Sequence, residues 1–501
     1  MLELSIPVLL TAALLLVAVT SQADPIAIGS RLEPMVDDFL IDTMDDAELT
    51  LHHPTAREIV MRFDEPWEGS GCGYVTMFED EGTFRMYYKA WDLGVHEEGT
   101  KPSKLKVGYA ESDDGIDWSK PELGIIEFDG STANNLVWDG PGSHGFAPFK
   151  DPNPDVEPEA AYKAVGEGTT EAGKGLLALQ SADGIHWELM RKEPILTGCP
   201  FDSQNLAFWD PVREEYRAYV RDFREGRRSI KTATSENFVN WTELQWLDFP
   251  GARKEQLYTN QVQPYPRAPH IFIGFPTRYF ERGWSPSLEK LPDLENRRMR
   301  SRGSNRYGMA ITDALLMTSR DGQTFNRWAE ALVRPGPERP GSWAYGDMYL
   351  QWGLVRTASH MKGAADRWSL YSKEGFWLTG DTRMRRYDIR IDGFASVTAP
   401  MAGGEMITRP LVFDGDCLVI NFSTSGSGGI HVEIQDADGQ PIEGYTLDES
   451  DEVFGDSISR TVTWRDGDSD LSELSGKPVR LRFVLRDADL YALRFQKDSN
   501  R

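Results

Sequence analysis

The sequence predicts an all-β chain, a five-bladed β-propeller followed by a C-terminal antiparallel β-sandwich. Three observations carry this reading. A strand, a tight turn and an aromatic recur four times; a hairpin precedes each recurrence; and the texture changes to short alternating strands after Gly393.

The recurring tails are VGYAESDDGIDW, LLALQSADGIHW, TATSENFVNW and LLMTSRDGQTF, ending at Trp118, Trp187, Trp241 and Phe325. In each, a strand runs into a turn whose Asp-Gly pair supplies the required dihedrals, and an aromatic folds back onto the strand. The third copy has Asn237-Phe238 in place of Asp-Gly. Ser112, Ser181, Ser235 and Ser319 mark equivalent positions. The turns recur with the repeat and do not converge on one place, so they are read as structural.

Hairpins at 77–91, 148–165, 207–220 and 263–275, and a fifth over 349–372 without an Asp-Gly tail, give five periods of about four strands each. Strong helix signals are absent. The apolar stretch Met35 to Ile41 is expected either to close the last blade as an edge strand or to serve as an N-terminal cover. Beyond Phe394, strict alternation in Ile430 to Ile434 and Val479 to Leu485 predicts a small antiparallel sandwich. The expected division is therefore a propeller over 24–398 and a sandwich over 399–501, packed rigidly together.

Ahead of both, Ile6 to Val19 is apolar but for Thr11 and is followed by Ser21-Gln22-Ala23. This reads as a signal peptide over 1–23, cleaved after Ala23, with the mature protein secreted or periplasmic. The run is too short to span a bilayer, and no second one follows. With 54 Lys and Arg against 79 Asp and Glu, the net charge of −25 repels polyanions, so no nucleic-acid partner is expected. Cys72, Cys199 and Cys417 are too few for a disulfide scaffold and are read as buried thiols. The eight histidines show no paired metal spacing, and the acidic run Asp151 to Glu159 carries three prolines and no glycine. No metal and no cofactor are expected.

An exported chain with five blades, four of them bearing S-x-D-G-x-x-W-type tails, and a C-terminal sandwich resembles the five-bladed propeller glycosidases, glycoside hydrolase family 32 and its relatives such as family 43, in their secreted bacterial form. The resemblance is one of architecture: the family-32 strings W-M-N-D-P-N-G, R-D-P and E-C do not occur here. It implies a funnel lined by the inner strands, with catalytic carboxylates where those strands begin. Aligning the hairpins places Asp151 and Asp210 at the far ends of inner strands, in turns. Four acids are left at the funnel: Glu68, Asp202, Glu255 and Asp347. Glycoside hydrolysis uses two carboxyl groups, one to protonate the leaving oxygen and one to assist attack. Asp202 is accordingly expected as base or nucleophile and Glu255 as general acid. Glu68, His144, Gln204, Asn205, Tyr258, Asn260, Arg278 and Asp347 are expected to bind substrate.

The stretch 278–307 holds seven Arg and one Lys against four acids. Its arginines either recognise an anionic sugar over the funnel or pair with the protein's own acids. The expected function is a secreted glycoside hydrolase acting on a poly- or oligosaccharide, possible anionic substrates included. A non-catalytic carbohydrate-binding propeller and a glycoside phosphorylase are the alternatives. Two funnel carboxyls within about 10 Å mark hydrolysis, cations beside one lone acid mark phosphorolysis, and no convergent acids mark binding.

Overall fold

A computed structural model describes residues 24–96, 99–378 and 380–497; the expected signal peptide lies outside them. Among the described residues the chain is all-β apart from two short helices, Leu294–Ser301 and Asn305–Met309, and isolated 3-10 turns. Among the described residues no helix is long and apolar enough to cross a membrane.

Five four-stranded antiparallel sheets follow one another in a propeller-like course. Sheet 1 runs through Gly73–Asp80, Thr83–Ala90, Lys106–Ser112 and Leu136–Trp138. Sheet 2 uses His144–Lys150, Tyr162–Thr170, Gly173–Ser181 and Glu188–Leu189. Sheet 3 uses Leu206–Asp210, Glu215–Arg224, Arg227–Ser235 and Gln245–Trp246. Sheet 4 uses Gln263–Tyr265, Ala268–Gly274, Met317–Ser319 and Asn326–Arg327. Sheet 5 uses Val355–Thr357, Arg367–Glu374 and Arg383–Arg390, and its outermost strand is Thr55–Arg62 from the other end of the chain.

The repeated tails explain how the sheets interlock. Ser112 Oγ accepts from the amides of Asp114 and Gly115, Asp114 Oδ1 accepts from Ile116 and Asp117, and the Trp118 indole donates to the Gly115 carbonyl at 3.1 Å. The same bonds recur at Ser181 to Trp187, and at Ser235 to Trp241 the serine accepts from the Asn237 amide while the Asn237 and Trp241 bonds are kept. Phe238 takes a φ of 64° where Gly115, Gly184 and Gly322 have 72°, 78° and 79°, so the third turn keeps its shape at a steric cost. The glycine carbonyl of a turn then accepts from a tyrosine of the preceding sheet. Tyr87 of sheet 1 donates to Gly184 at 2.9 Å, Tyr219 of sheet 3 to Gly322 at 2.8 Å, and Tyr371 of sheet 5 to Gly115 at 2.5 Å. The last sheet thereby docks on the first.

Thr55–Arg62, and not the Met35 to Ile41 stretch, completes the last sheet, pairing with Arg383–Arg390. The reason is burial. Thr55–Arg62 is largely exposed, as an outermost strand must be, whereas Met35, Val36, Leu40 and Ile41 are all buried and divided between two cores.

Ten of the remaining strands form one sheet. Its spine is the antiparallel pair Cys417–Asp436 and Val479–Gln496, in which Ile430 faces Leu485, Val432 faces Phe483 and Ile434 faces Leu481, all fully buried. The alternation seen in the sequence is this inward-facing register. Four N-terminal strands within 26–51 join the same sheet, so it draws on both ends of the chain and the expected division at 398 does not separate it cleanly. Glu33 fixes that N-terminal arm to sheet 4. Its fully buried carboxylate lies 2.9 Å from Arg320, 2.5 Å from Arg31 and 3.2 Å from His270.

Candidate active site

The starts of the inner strands meet at one end of the five sheets and enclose a cavity of about 400 Å³. Sheet 1 contributes Tyr74, Lys89 and Trp91; His144 stands at the head of sheet 2, Asp202 just before sheet 3 and Tyr258 before sheet 4; Tyr345, Tyr349 and Lys373 come from the approach to sheet 5 and its second strand. Arg306 and Tyr307 enter from the helical insertion in sheet 4, and Phe376 and Trp377 from the turn after Arg367–Glu374. Tyr74 and Trp377 hold φ values of 49° and 65°. A bulky residue in the left-handed region costs about 1–3 kcal/mol, strain that the surrounding packing sustains to turn both rings toward the cavity.

Beneath the cavity, buried amides tie the inner strands together. Gln204 donates to Val75 O at 3.2 Å and to Thr76 Oγ1 at 3.1 Å; Gln261 donates to Gln204 Oε1 at 2.8 Å and to Leu350 O at 3.0 Å. Asn205 donates to Phe201 O and accepts from the Arg221 amide, and Asn260 accepts from the Val262 amide. Gln204, Asn205 and Asn260, expected to hold substrate, therefore have their hydrogen-bonding capacity taken up by the scaffold. Of the expected binding residues, His144 and Tyr258 do line the cavity.

Asp202 is the carboxylate on the cavity wall among the described residues. Its side chain is 60% exposed, and Oδ1 lies 3.5 Å from His144 Nε2. Its main-chain carbonyl accepts from Arg221 at 2.6 Å, which fixes the loop that presents it. On the far side of the imidazole, Nδ1 lies 3.2 Å from Glu167, itself 3.1 Å from Lys174. Burial pushes the Glu167 carboxyl up, but His144 and Lys174 outweigh it and hold it at about 2, so this group stays ionised and steadies the ring.

Glu255 does not join Asp202. It lies 3.1 Å from Arg278 and 2.5 Å from Arg327, lines other grooves, and is absent from the wall that carries Asp202. The hairpin alignment misplaced it because sheet 4 is interrupted: Gln256–Leu257 pairs with the inserted strand Thr277–Glu281, not with the inner strand. Arg278, expected to bind substrate, is held by Asp313 at 2.7 Å and by Glu255. Glu68 is buried under sheet 1, accepting from Tyr88 at 2.5 Å and Lys120 at 2.8 Å. Asp347 is buried behind the wall, where it accepts from the amides of Phe376 at 3.0 Å and Ala344 at 3.1 Å. Burial pushes its carboxyl up to about 7. It supports the segments bearing Tyr345 and Phe376 and does not face the cavity.

The arginine-rich insertion divides its work. Arg297 and Arg300 are buried and donate to main-chain carbonyls of Trp343 and Phe376, Arg298 pairs with Glu289, and Arg306 reaches the cavity, 3.4 Å from the Tyr345 hydroxyl. The residues that sequence reasoning missed are Tyr74, Lys89, Tyr349 and Lys373. A signal for the lysines was present. Lys89, Arg221 and Lys373 each lie two residues after a tyrosine that locks a neighbouring turn, Tyr87, Tyr219 and Tyr371. The period-2 alternation of a strand therefore sends all three from equivalent points of the repeat.

No family model matches the chain, and no curated protein matches it. Solved structures with a similar course of chain include the GH32 beta-fructofuranosidase of Bombyx mori, at 11% identity and a TM-score of 0.40 over 88% of this chain and 95% of that one. The fructofuranosidase of Schwanniomyces occidentalis complexed with fructosylnystose gives 11% and 0.36, over 87% and 96%. A structure described with the GH130 family of mannoside phosphorylases, which contains glycoside hydrolases targeting beta-1,2 mannosidic linkages in Candida mannan, gives 14% and 0.39, over 72% and 96%. None of these likenesses assigns a family or an activity to this chain.

Proposed function

We propose that the five sheets are the blades of a five-bladed propeller with a sandwich beside it, and that the protein is an exported enzyme that cleaves a glycosidic bond in the cavity described above. The observation that carries this reading is the placement of Asp202. It is a wall carboxylate, open to solvent, 3.5 Å from the His144 ring and surrounded by aromatic faces. Aromatic walls with a few convergent polar groups suit a ring-shaped ligand that must be oriented. Asp202 then transfers the proton, to the leaving glycosidic oxygen or from the attacking group. Glu167 and His144 hold one side of Asp202, so the proton moves in a fixed direction.

Among the described residues Asp202 is the one carboxylate on the wall, so the attacking group comes from outside it, and Lys89, Lys373 and Arg306 stand on the same wall. Cations beside a lone acid mark phosphorolysis, so this arrangement favours inorganic phosphate over water as the attacking group. The phosphate oxygen bonds to the anomeric carbon as the glycosidic bond breaks, and Asp202 gives its proton to the leaving oxygen. The test is a screen of neutral and anionic oligosaccharides, with and without phosphate, with chromatographic identification of products. Free sugar supports hydrolysis and glycosyl phosphate supports phosphorolysis. Saturable binding without turnover on any substrate rejects both in favour of a non-catalytic binder.

A further inference from the structure

Lys89 and Lys373 are buried, at 6% and 2% exposure, yet both line the cavity. Neither ammonium has a hydrogen-bond or ion-pair partner among the described residues. Each is surrounded by rings instead: Lys89 Nζ lies 4.6 Å from the centroids of Tyr74 and Trp91, and Lys373 Nζ lies 3.7 Å from Phe376, 4.8 Å from Tyr349 and 5.7 Å from Tyr74. The two cations thus share the Tyr74 ring. Gly73, at a φ of 158°, leaves room for one of them, since a Cβ there would come within 2.5 Å of Lys373 Nζ.

Asp202 and Asp347 act on the two lysines through space without pairing with either, and a buried ammonium that no acceptor meets directly is unfavourable, two close together more so. Ring faces offset part of that cost but supply no hydrogen-bond acceptor. A strand position that must be buried would ordinarily be apolar, so two lysines placed here mark a site completed by a ligand.

We infer that Lys89 and Lys373 form an oxyanion subsite, taking either a carboxylate or sulfate carried on the sugar or a free inorganic phosphate. This rests on the cavity being the carbohydrate site proposed above, but not on Asp202 being its acid. Oxyanions fit because they present several acceptor oxygens to ammonium donors at charge-assisted hydrogen-bond distance. Burial pulls Lys89 down to about 8 and Lys373 well below the ordinary lysine range, so occupation of the site takes up protons as well as charge.

The experiment is a titration of the intrinsic tryptophan fluorescence, which reports Trp91 in the wall, with sodium phosphate, sodium sulfate, sodium D-galacturonate and neutral D-galactose at constant ionic strength. Parallel thermal melts follow the same additions. The wild-type protein and Asp202→Asn should both saturate with an oxyanion, and Lys89→Met and Lys373→Met should each bind it at least tenfold more weakly while melting no lower than wild type. Saturation by galacturonate but not phosphate assigns the anion to the sugar, and the converse assigns it to inorganic phosphate. No saturation with any anion, or unchanged affinity in both lysine variants, overturns the subsite. If a methionine variant does not fold, Lys373→Gln and the ligand-induced melting shift of the wild type give the same decision. Anion binding retained in Asp202→Asn without turnover loss would sink the acid assignment and leave the subsite standing.

Discussion

Asp202 Oδ1 lies 3.5 Å from His144 Nε2, at a point where the starts of the inner strands converge. The pairing is long-range in sequence and local in the repeat, because each residue stands at the entrance to the inner strand of its own sheet. Behind it, Glu167 keeps the imidazole in place, and in front the aromatic wall leaves room for a ring. Glu255 is absent from this cluster, its carboxylate paired with Arg278 and Arg327.

Glu255→Gln should leave turnover within about twofold of wild type, since it removes half-buried ion pairs with Arg278 and Arg327 that take no part in the Asp202 wall. Steady-state kinetics on the substrate found by the oligosaccharide screen checks this. A loss of a hundredfold or more would restore Glu255 to the active site.

The all-β course was legible from the strand periods and the Asp-Gly turns, because those are local signals: a serine, an acid and a glycine within four residues dictate their own hydrogen bonds. Asp202, His144 and Tyr258 were legible as cavity-lining positions because each stands at the entrance to an inner strand. Glu255 was misread because an insertion displaces the alignment in sheet 4, and of the two readings of Met35 to Ile41 the edge strand fails because apolarity marks burial and the outermost strand of that sheet is exposed. Lys89 and Lys373 went unread since a lysine inside an alternating strand resembles a solvent-facing residue until the neighbouring sheets are known.

Tyr219→Phe removes the hydroxyl that locks sheet 3 onto the turn of sheet 4 and leaves the Gly322 carbonyl with the longer bond from Arg217, at 3.4 Å. Chemical denaturation should show a loss of about 0.5–1.5 kcal/mol, the net worth of one intramolecular hydrogen bond. Tyr371→Phe, which unlocks sheet 5 from sheet 1, should cost a similar amount. No change in either variant would mean the locks contribute nothing to closure.

Glu33 is buried, which pushes its carboxyl up, but the His270 hydrogen bond and the charges of Arg320, His270 and Arg31 prevail and hold it at about 2, below the usual 4.5. The unfolded chain binds the proton more readily, so this stabilisation is fully present above about pH 4.5 and is lost as pH falls toward 2. It amounts to about 3 kcal/mol. Glu33→Gln should therefore melt lower than wild type at pH 7, and the difference should narrow between pH 4.5 and 2. A difference independent of pH would show that the loss is one of packing alone.

Lys89 gives the opposite sign. Burial lowers it from 10.5 to about 8 against the opposing field of Asp202; the rings of Tyr74 and Trp91 face it, and Lys373 stands over the same Tyr74 ring. Between pH 8 and 10.5 the unfolded chain holds more protons, so this site's penalty is full below pH 8 and fades as pH rises. Lys89→Met should be more stable than wild type at pH 7, by up to about 3 kcal/mol, with the gain shrinking toward pH 10. Denaturation curves at pH 7, 8.5 and 9.5 check the trend, and a variant less stable than wild type at pH 7 would contradict it.

The proposed role of Asp202, handling the proton in bond cleavage, is tested most directly by kcat for Asp202→Asn beside its thermal melt. Loss of a general acid or base costs about 10²–10⁴ in rate. A fall of at least a hundredfold in kcat is expected with the melting temperature unchanged to within about 2 °C, because the side chain is exposed and its loop is held through the main chain by Arg221. Full activity in a folded Asp202→Asn protein would contradict it.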